Sequence, residues 1–284
     1  AASRPWPAPT AEPPGGGAPP ADGARATCKA QGKPHTVSAV AGTALAVPGQ
    51  SGKSLLLESM MENRSVYDVA SSGVRQVADT NRVLRNTYML LAMTLLFSAG
   101  TAGLSMALGL GHGAALVLTL VGFGLLFVVN RLADSAKGLP AIFAFTGVMG
   151  ASLGPLIGHY LAMPNGPSLV LQALGGTAII FFGLSAYALT TRKDFSFLGG
   201  FLMVGLLVAV VAMIANIFLG IPALSLTISS AVVLIMSGLI LFDTSRIIHG
   251  GETNYIRATV GLYLSIYNLF IHLLSLLTAL GGDD

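Results

Sequence analysis

Between Asn86 and Asn130 the chain reads NTYMLLAMTLLFSAGTAGLSMALGLGHGAALVLTLVGFGLLFVVN, 45 residues without an Asp, Glu, Lys or Arg. A charge at the centre of a bilayer costs roughly 2.5–3.5 kcal/mol on insertion scales, so uncharged runs of this length mark membrane spans. A helix needs about 20 residues to cross. The run therefore holds two helices, with a turn at Gly109-Leu-Gly-His-Gly113. Similar runs follow: 54 residues between Lys137 and Arg192, 48 between Asp194 and Asp243, and 25 between Arg257 and Asp283. The first two of these break at Pro164-Asn-Gly-Pro167 and Gly220-Ile-Pro222, and the last fits one helix. The sum is an all-α integral membrane fold of seven transmembrane helices, expected near 87–109, 114–131, 139–161, 168–190, 195–218, 222–244 and 258–280.

Composition agrees. Of 284 residues, 53% are hydrophobic and only 10% charged, with a mean hydropathy of +0.75. Soluble chains carry about 25% charged residues, so the lipid bilayer is the consistent solvent. A net charge of +3 gives no basis for nucleic-acid binding. The lone cysteine, Cys28, forms no internal disulfide and no metal framework.

The connectors set the orientation. Arg75, Arg82 and Arg85 precede the first span. Arg131 and Lys137 flank the second connector, Arg192 and Lys193 lie in the fourth, and Arg246 and Arg257 bracket the sixth. The alternate connectors carry no Lys or Arg, and the C-terminus offers Asp283 and Asp284. By the positive-inside rule the N-terminus is expected in the cytoplasm, and an odd number of spans puts the C-terminus on the far, periplasmic side.

Residues 1–59 have a different texture. Stretches such as Pro13-Pro-Gly-Gly-Gly-Ala-Pro-Pro20 cannot bury a core and are expected to be disordered. They contain no apolar run of signal-peptide type. The chain opens on Ala1, and Met60 and Met61 stand where ordinary texture begins, so 1–59 reads as an upstream extension of a protein that starts at one of these methionines. Pro48-Gly-Gln-Ser-Gly-Lys-Ser54 imitates a phosphate loop, but Val47 stands where its first glycine belongs, and no strand pattern precedes it. Residues 60–86 form a polar cytoplasmic tail, helical or flexible, and a handle for soluble machinery. Residues 87–284 form the membrane domain.

Lipid satisfies no polar side chain, so polar groups in the spans report which faces meet protein or water. In the last span Gly261, Ser265, Asn268, His272, Ser275 and Thr278 recur at three- and four-residue spacing, on one helical face. Interhelical hydrogen bonding and the lining of an ion or water path are both consistent with this stripe. In the third span Gly147, Gly150, Gly154 and Gly158 suit close helix packing. Pro155 denies the Ala151 carbonyl its usual helical partner. Asp243 lies 21 residues past Pro222, about 30 Å along a helix, near the inner boundary. Arg246, three residues on, is within reach of it. A solvated interfacial carboxylate and a buried, titrating one that gates a path are the two readings of Asp243. No catalytic constellation, metal-ligand spacing or cofactor motif emerges, and Gly183-Leu-Ser185-Ala lacks the second glycine of an intramembrane serine protease motif.

From Val83 onward the sequence resembles the transmembrane Bax inhibitor motif family. The resemblance rests on Val83-Leu-Arg-Asn-Thr-Tyr88, Ala141-Ile-Phe-Ala-Phe-Thr-Gly147, Leu153-Gly-Pro-Leu156, Leu174-Gly-Gly-Thr-Ala178, the stretch from Ser185 to Gly200, and that from Ile247 to Thr259. It covers about the last 200 residues. It implies a seven-helix bundle with the seventh helix at its centre, in the bacterial inner membrane. It also implies a non-enzymatic role: bacterial members bind and modulate FtsH, a membrane-anchored ATP-dependent protease, and are slow substrates of it. Other members are implied to be pH-sensitive calcium leaks that sense pH through two aspartates. The first maps onto Asp243 and the second onto Ser265, so the pair is incomplete here. The candidate pH-sensing or ion-path residues are thus Asp243, Arg246, Ser265, Asn268 and His272, and the helix-packing set is Gly150, Gly154, Pro155 and Gly158.

Overall fold

A computed structural model describes residues 51–281, with side-chain environments from residue 79 onward. The expected disorder of residues 1–59 lies outside the described residues over 1–50, whereas over 51–59 the backbone is helical. Seven helices follow in order: α1 Ser51–Ala107, α2 His112–Leu132, α3 Gly138–Leu161, α4 Gly166–Thr191, α5 Leu198–Leu219, α6 Pro222–Ile248 and α7 Tyr255–Gly281. Each has a segment long and apolar enough to cross a membrane, that of α1 being Asp79–Ala107. The backbone is helical from Ser51, so residues 51–59 and the polar stretch 60–86 belong to the same helix as the first span.

The breaks fall where backbone chemistry puts them. Helix α5 ends at Gly220, whose φ of 63° is a left-handed conformation that costs a glycine little, and the Gly220 N–H closes the helix on the Asn216 carbonyl at 2.8 Å. Pro222 then opens α6 at a position where no N–H is needed.

Helix α2 packs on α3 and α5 on α6, while α4, α6 and α7 contact one another, and α3 touches α4 and α7. Helices α2 and α5 bury only two residues each and turn large side chains outward, with Phe218 86% and Phe127 77% exposed. Such a surface is untenable in water and ordinary against hydrocarbon. The inward face of α1 is small and hydroxylated: Thr87, Leu91, Thr94, Ser98, Ala102 and Ser105, all buried.

The three connectors that carry basic residues meet at one end of the bundle. Asn254 Nδ2 donates to the Ala133 carbonyl at 2.9 Å and to Asp134 Oδ1 at 2.8 Å. Arg257 pairs with Asp134. Ser245 Oγ accepts from the Phe195 N–H at 3.0 Å, and a His249 ring nitrogen lies 3.1 Å from the Arg192 carbonyl. In the connector between α4 and α5, the Ser196 side chain and backbone N–H hold the Asp194 carboxyl below its ordinary range.

Asn254 also caps α7, its Oδ1 accepting from the Ile256 N–H at 2.8 Å and the Arg257 N–H at 3.3 Å. Asn254→Ala removes the cap and both bonds to the α2–α3 connector. A cap contributes about 1 kcal/mol, and each bond, one to a carbonyl and one to an exposed carboxylate, about 1 kcal/mol. A thermal melt of the purified variant is expected to reveal a loss of roughly 2–3 kcal/mol; an unchanged melt would mean that this clasp contributes nothing.

Candidate functional site

The glycine face of α3 lies against α1. A Cβ on Gly154 would stand 2.6 Å from Ser105 Oγ and 2.8 Å from the Ala102 carbonyl oxygen, and one on Gly150 would stand 2.6 Å from Ser98 Oγ. A Cβ on Gly147 would strike the Phe97 ring at 2.7 Å, whereas one on Gly158 would meet nothing closer than Met106 Cγ at 4.0 Å. Pro155 leaves the Ala151 carbonyl without its helical N–H, and the Ser105 hydroxyl of α1 donates to that oxygen at 2.7 Å. The freed group is thus satisfied by the neighbouring helix.

Helix α7 meets α1 and α3 through two tyrosines four residues apart, which face the same way. Tyr263 Oη and Ser98 Oγ are 2.8 Å apart, with the Thr146 carbonyl 3.3 Å from the same phenol. Tyr267 Oη and Ser152 Oγ are 3.0 Å apart. Neither tyrosine, nor Ser98, Ser105 or Asn254, stood out as a site residue in the sequence. The signal was present in α1, where hydroxyl and small residues recur at three- and four-residue spacing from Thr94 to Ser105.

The polar stripe of α7 points toward α6 and α5. Gly261 faces Asp243: a Cβ there would stand 2.9 Å from its Oδ2. Ser265 is buried, and Asn268 Nδ2 donates to the Leu264 carbonyl of its own helix at 2.8 Å. His272 Nδ1 lies 3.2 Å from Ser229 Oγ of α6. His272 and Ser275 form one wall of a cavity of about 330 Å³ whose other walls include Tyr160, Asn216, Ser225 and Ser229. Asp243, Ser265 and Asn268 are not among its lining residues. The most enclosed face of α7 is not this stripe but the one carrying Leu262, Leu269 and Leu274, all fully buried.

Asp243 is half-buried, and one expectation about it is corrected. Arg246 does not turn back to Asp243. Its guanidinium lies 3.5 Å from Glu252 and 3.4 Å from the Gly251 carbonyl, and sits over the Phe242 ring at 5.5 Å. The cause is the turn after α6: Gly250, at φ 73°, brings the Gly251 and Glu252 N–H groups onto the Arg246 carbonyl, and the Glu252 carboxylate arrives beside the arginine. Among the described residues, Asp243 has no ion-pair partner.

The profile of the family described as "Inhibitor of apoptosis-promoting Bax1" matches residues 80–282. The chain is 56% identical over 211 residues to the "Modulator of FtsH protease YccA" of Escherichia coli (strain K12), which covers 74% of this chain and 95% of that protein. The "Inner membrane protein YccA" of Escherichia coli O6:H1 is equally similar over the same lengths. An "Uncharacterized membrane protein" of Vibrio cholerae is 50% identical over 215 residues, 75% of this chain and 96% of that one. The profile spans well over half of the chain, and the relatives match nearly their whole length, so the chain belongs to the Bax inhibitor family.

Proposed function

We propose that this chain is a multi-pass protein of the bacterial inner membrane that binds and modulates an FtsH-type membrane-anchored protease, and is itself slowly degraded by it. The observation that carries the reading is the 56% identity, spanning 95% of the relative, to a protein named as a modulator of that protease. The role is one of contact and not of catalysis. Residues 60–86 are its cytoplasmic handle, the C-terminus faces the periplasm, and α7 is the central helix. The contacts that α7 makes with α3, α4 and α6, and its hydrogen bonds to α1, support that last assignment.

Two experiments bear on this directly. Purified from native membranes in mild detergent, the protein is expected to bring the protease with it; repeated recovery without the protease would reject the partner. A periplasm-dependent reporter enzyme fused after Asp284 is expected to be active. Activity of a cytoplasm-dependent reporter at the same position would reject the orientation.

A second reading, a cation leak, draws on the contact of Asp243 with Gly261 and on the polar cavity at His272. Modulation by contact predicts little calcium flux from liposomes with either the unmodified protein or Asp243→Asn, and protease modulation that survives the substitution. Strong flux abolished by Asp243→Asn would make conduction the primary function.

A further inference from the structure

Helices α1 and α4 touch near the end that carries the basic connectors, where the rings of Tyr88 and Phe181 lie 6.0 Å apart. Toward the other end a cavity of about 490 Å³ opens between them, backed by residues of α3 and α7. This volume falls within the roughly 300–1,000 Å³ of small-molecule sites. The space exists because the facing side chains are small: Ala99 and Gly103 on α1, and Ala178 on α4. Gly103 differs here from Gly150 and Gly154. Those two are pressed against backbone, whereas a Cβ on Gly103 would meet nothing within 4 Å. Small residues in membrane helices ordinarily serve close approach; in α1 and α4 they line a gap.

The chemistry of the lining narrows the occupant. The hydroxyls on the cavity wall are engaged within the protein: Ser98 with Tyr263 at 2.8 Å, Tyr267 with Ser152 at 3.0 Å, and Thr177 with the Ala173 carbonyl at 2.7 Å. A polar ligand would exchange its hydration for little. An apolar chain entering from the bilayer gives up no hydration, and it fills a space that would otherwise forfeit dispersion contacts. The connectors at this end, residues 108–111 and 162–165, hold no Lys or Arg to select an anionic headgroup. The opening faces sideways, with Leu174 and Phe182 at its rim 51% and 65% exposed.

We propose that the α1–α4 cleft holds one acyl chain of a membrane phospholipid, selected by shape and not by headgroup charge. The site is independent of the stripe on α7 that faces α6, none of whose residues line it.

The test uses the full chain in vesicles of phosphatidylethanolamine in which a fraction carries a diazirine on one acyl chain. After illumination, the label is expected to be enriched on residues 95–106 and 170–182 above the background that bulk lipid gives the exposed face of α5 around Phe218. Gly103→Leu fills the cavity and is expected to abolish the enrichment. Gly100→Leu, also facing open space but outside the cavity lining, is expected to retain it. Ala178→Leu fills the same space from α4 and supplies the reading if Gly103→Leu does not fold. Even labelling of α1, α4 and α5 in the unmodified protein would overturn the proposal. So would enrichment that persists in a folded filling variant. Cross-links between two copies of the chain through the cleft would also overturn it, assigning the cleft to a dimer.

Discussion

Replacing Gly150 by leucine is expected to abolish the folded membrane domain. A Cβ at that position would stand 2.6 Å from Ser98 Oγ, with the backbone carbonyl of Ser98 also in its path. Overpacking a core costs about 1–3 kcal/mol when side chains can shift; here a helix backbone would have to move. Ser98 is also the partner of Tyr263, so the same displacement breaks the contact between α1 and α7. Gly154→Leu strikes one turn further on. It pushes Ser105 from the Ala151 carbonyl, which Pro155 has already deprived of its helical bond. A buried carbonyl left bare costs about 1–3 kcal/mol in addition. Gly158→Leu is the internal control, since its nearest neighbour is 4.0 Å from the ideal Cβ. Size-exclusion profiles and thermal melts of the three variants are the measurement. Aggregation or collapse of the first two with survival of the third is expected. A Gly150→Leu protein that melts with the unmodified one would show that the α1–α3 contact is not close.

The second large effect is expected on turnover by the protease. Residues 60–78 precede the first span as helical backbone, and the family match begins at residue 80, so 1–59 and 60–79 both lie outside it. Removing 1–59 should leave both binding and degradation unchanged. Shortening 60–80 should stop or strongly slow degradation while the membrane domain still binds. Pulse-chase measurement of the chain, alongside co-purification, separates the two. If the two deletions behave alike, residues 60–86 are not the handle.

Much of the fold was legible in the charge gaps, because the cost of burying a charge in lipid is large and acts on every span. Where boundaries shifted, the physics of the ends explains it. Helix α7 begins at Tyr255 and not at 258, because Arg257 sits at the aqueous end and pairs with Asp134. Helix α6 runs past 244 to Ile248, carrying Asp243 and Arg246 beyond the apolar stretch without breaking. Hydropathy marks where hydrocarbon ends, not where backbone hydrogen bonding ends.

The candidate site was less legible. The four-residue spacing of glycines in α3 pointed to a close contact, but spacing carries no information about the partner helix. The Ser105 hydroxyl that meets the Ala151 carbonyl comes from 46 residues away. The Arg246–Asp243 pairing failed for a local reason: a three-residue spacing permits the contact, and the Gly250 turn offers Glu252 instead. Tyr263 and Tyr267 belong to no motif, and their hydroxyl partners on α1 and α3 come from 165 and 115 residues away.

Reconstitution tests the central claim most directly. An FtsH-type protease is placed in liposomes with ATP and a membrane-protein substrate, with and without this chain. Proposed modulation by contact predicts that the folded chain slows proteolysis of the substrate, dose-dependently, while being consumed more slowly itself, and that Asp243→Asn retains the effect. An unchanged rate of substrate proteolysis at saturating amounts of folded chain would contradict it.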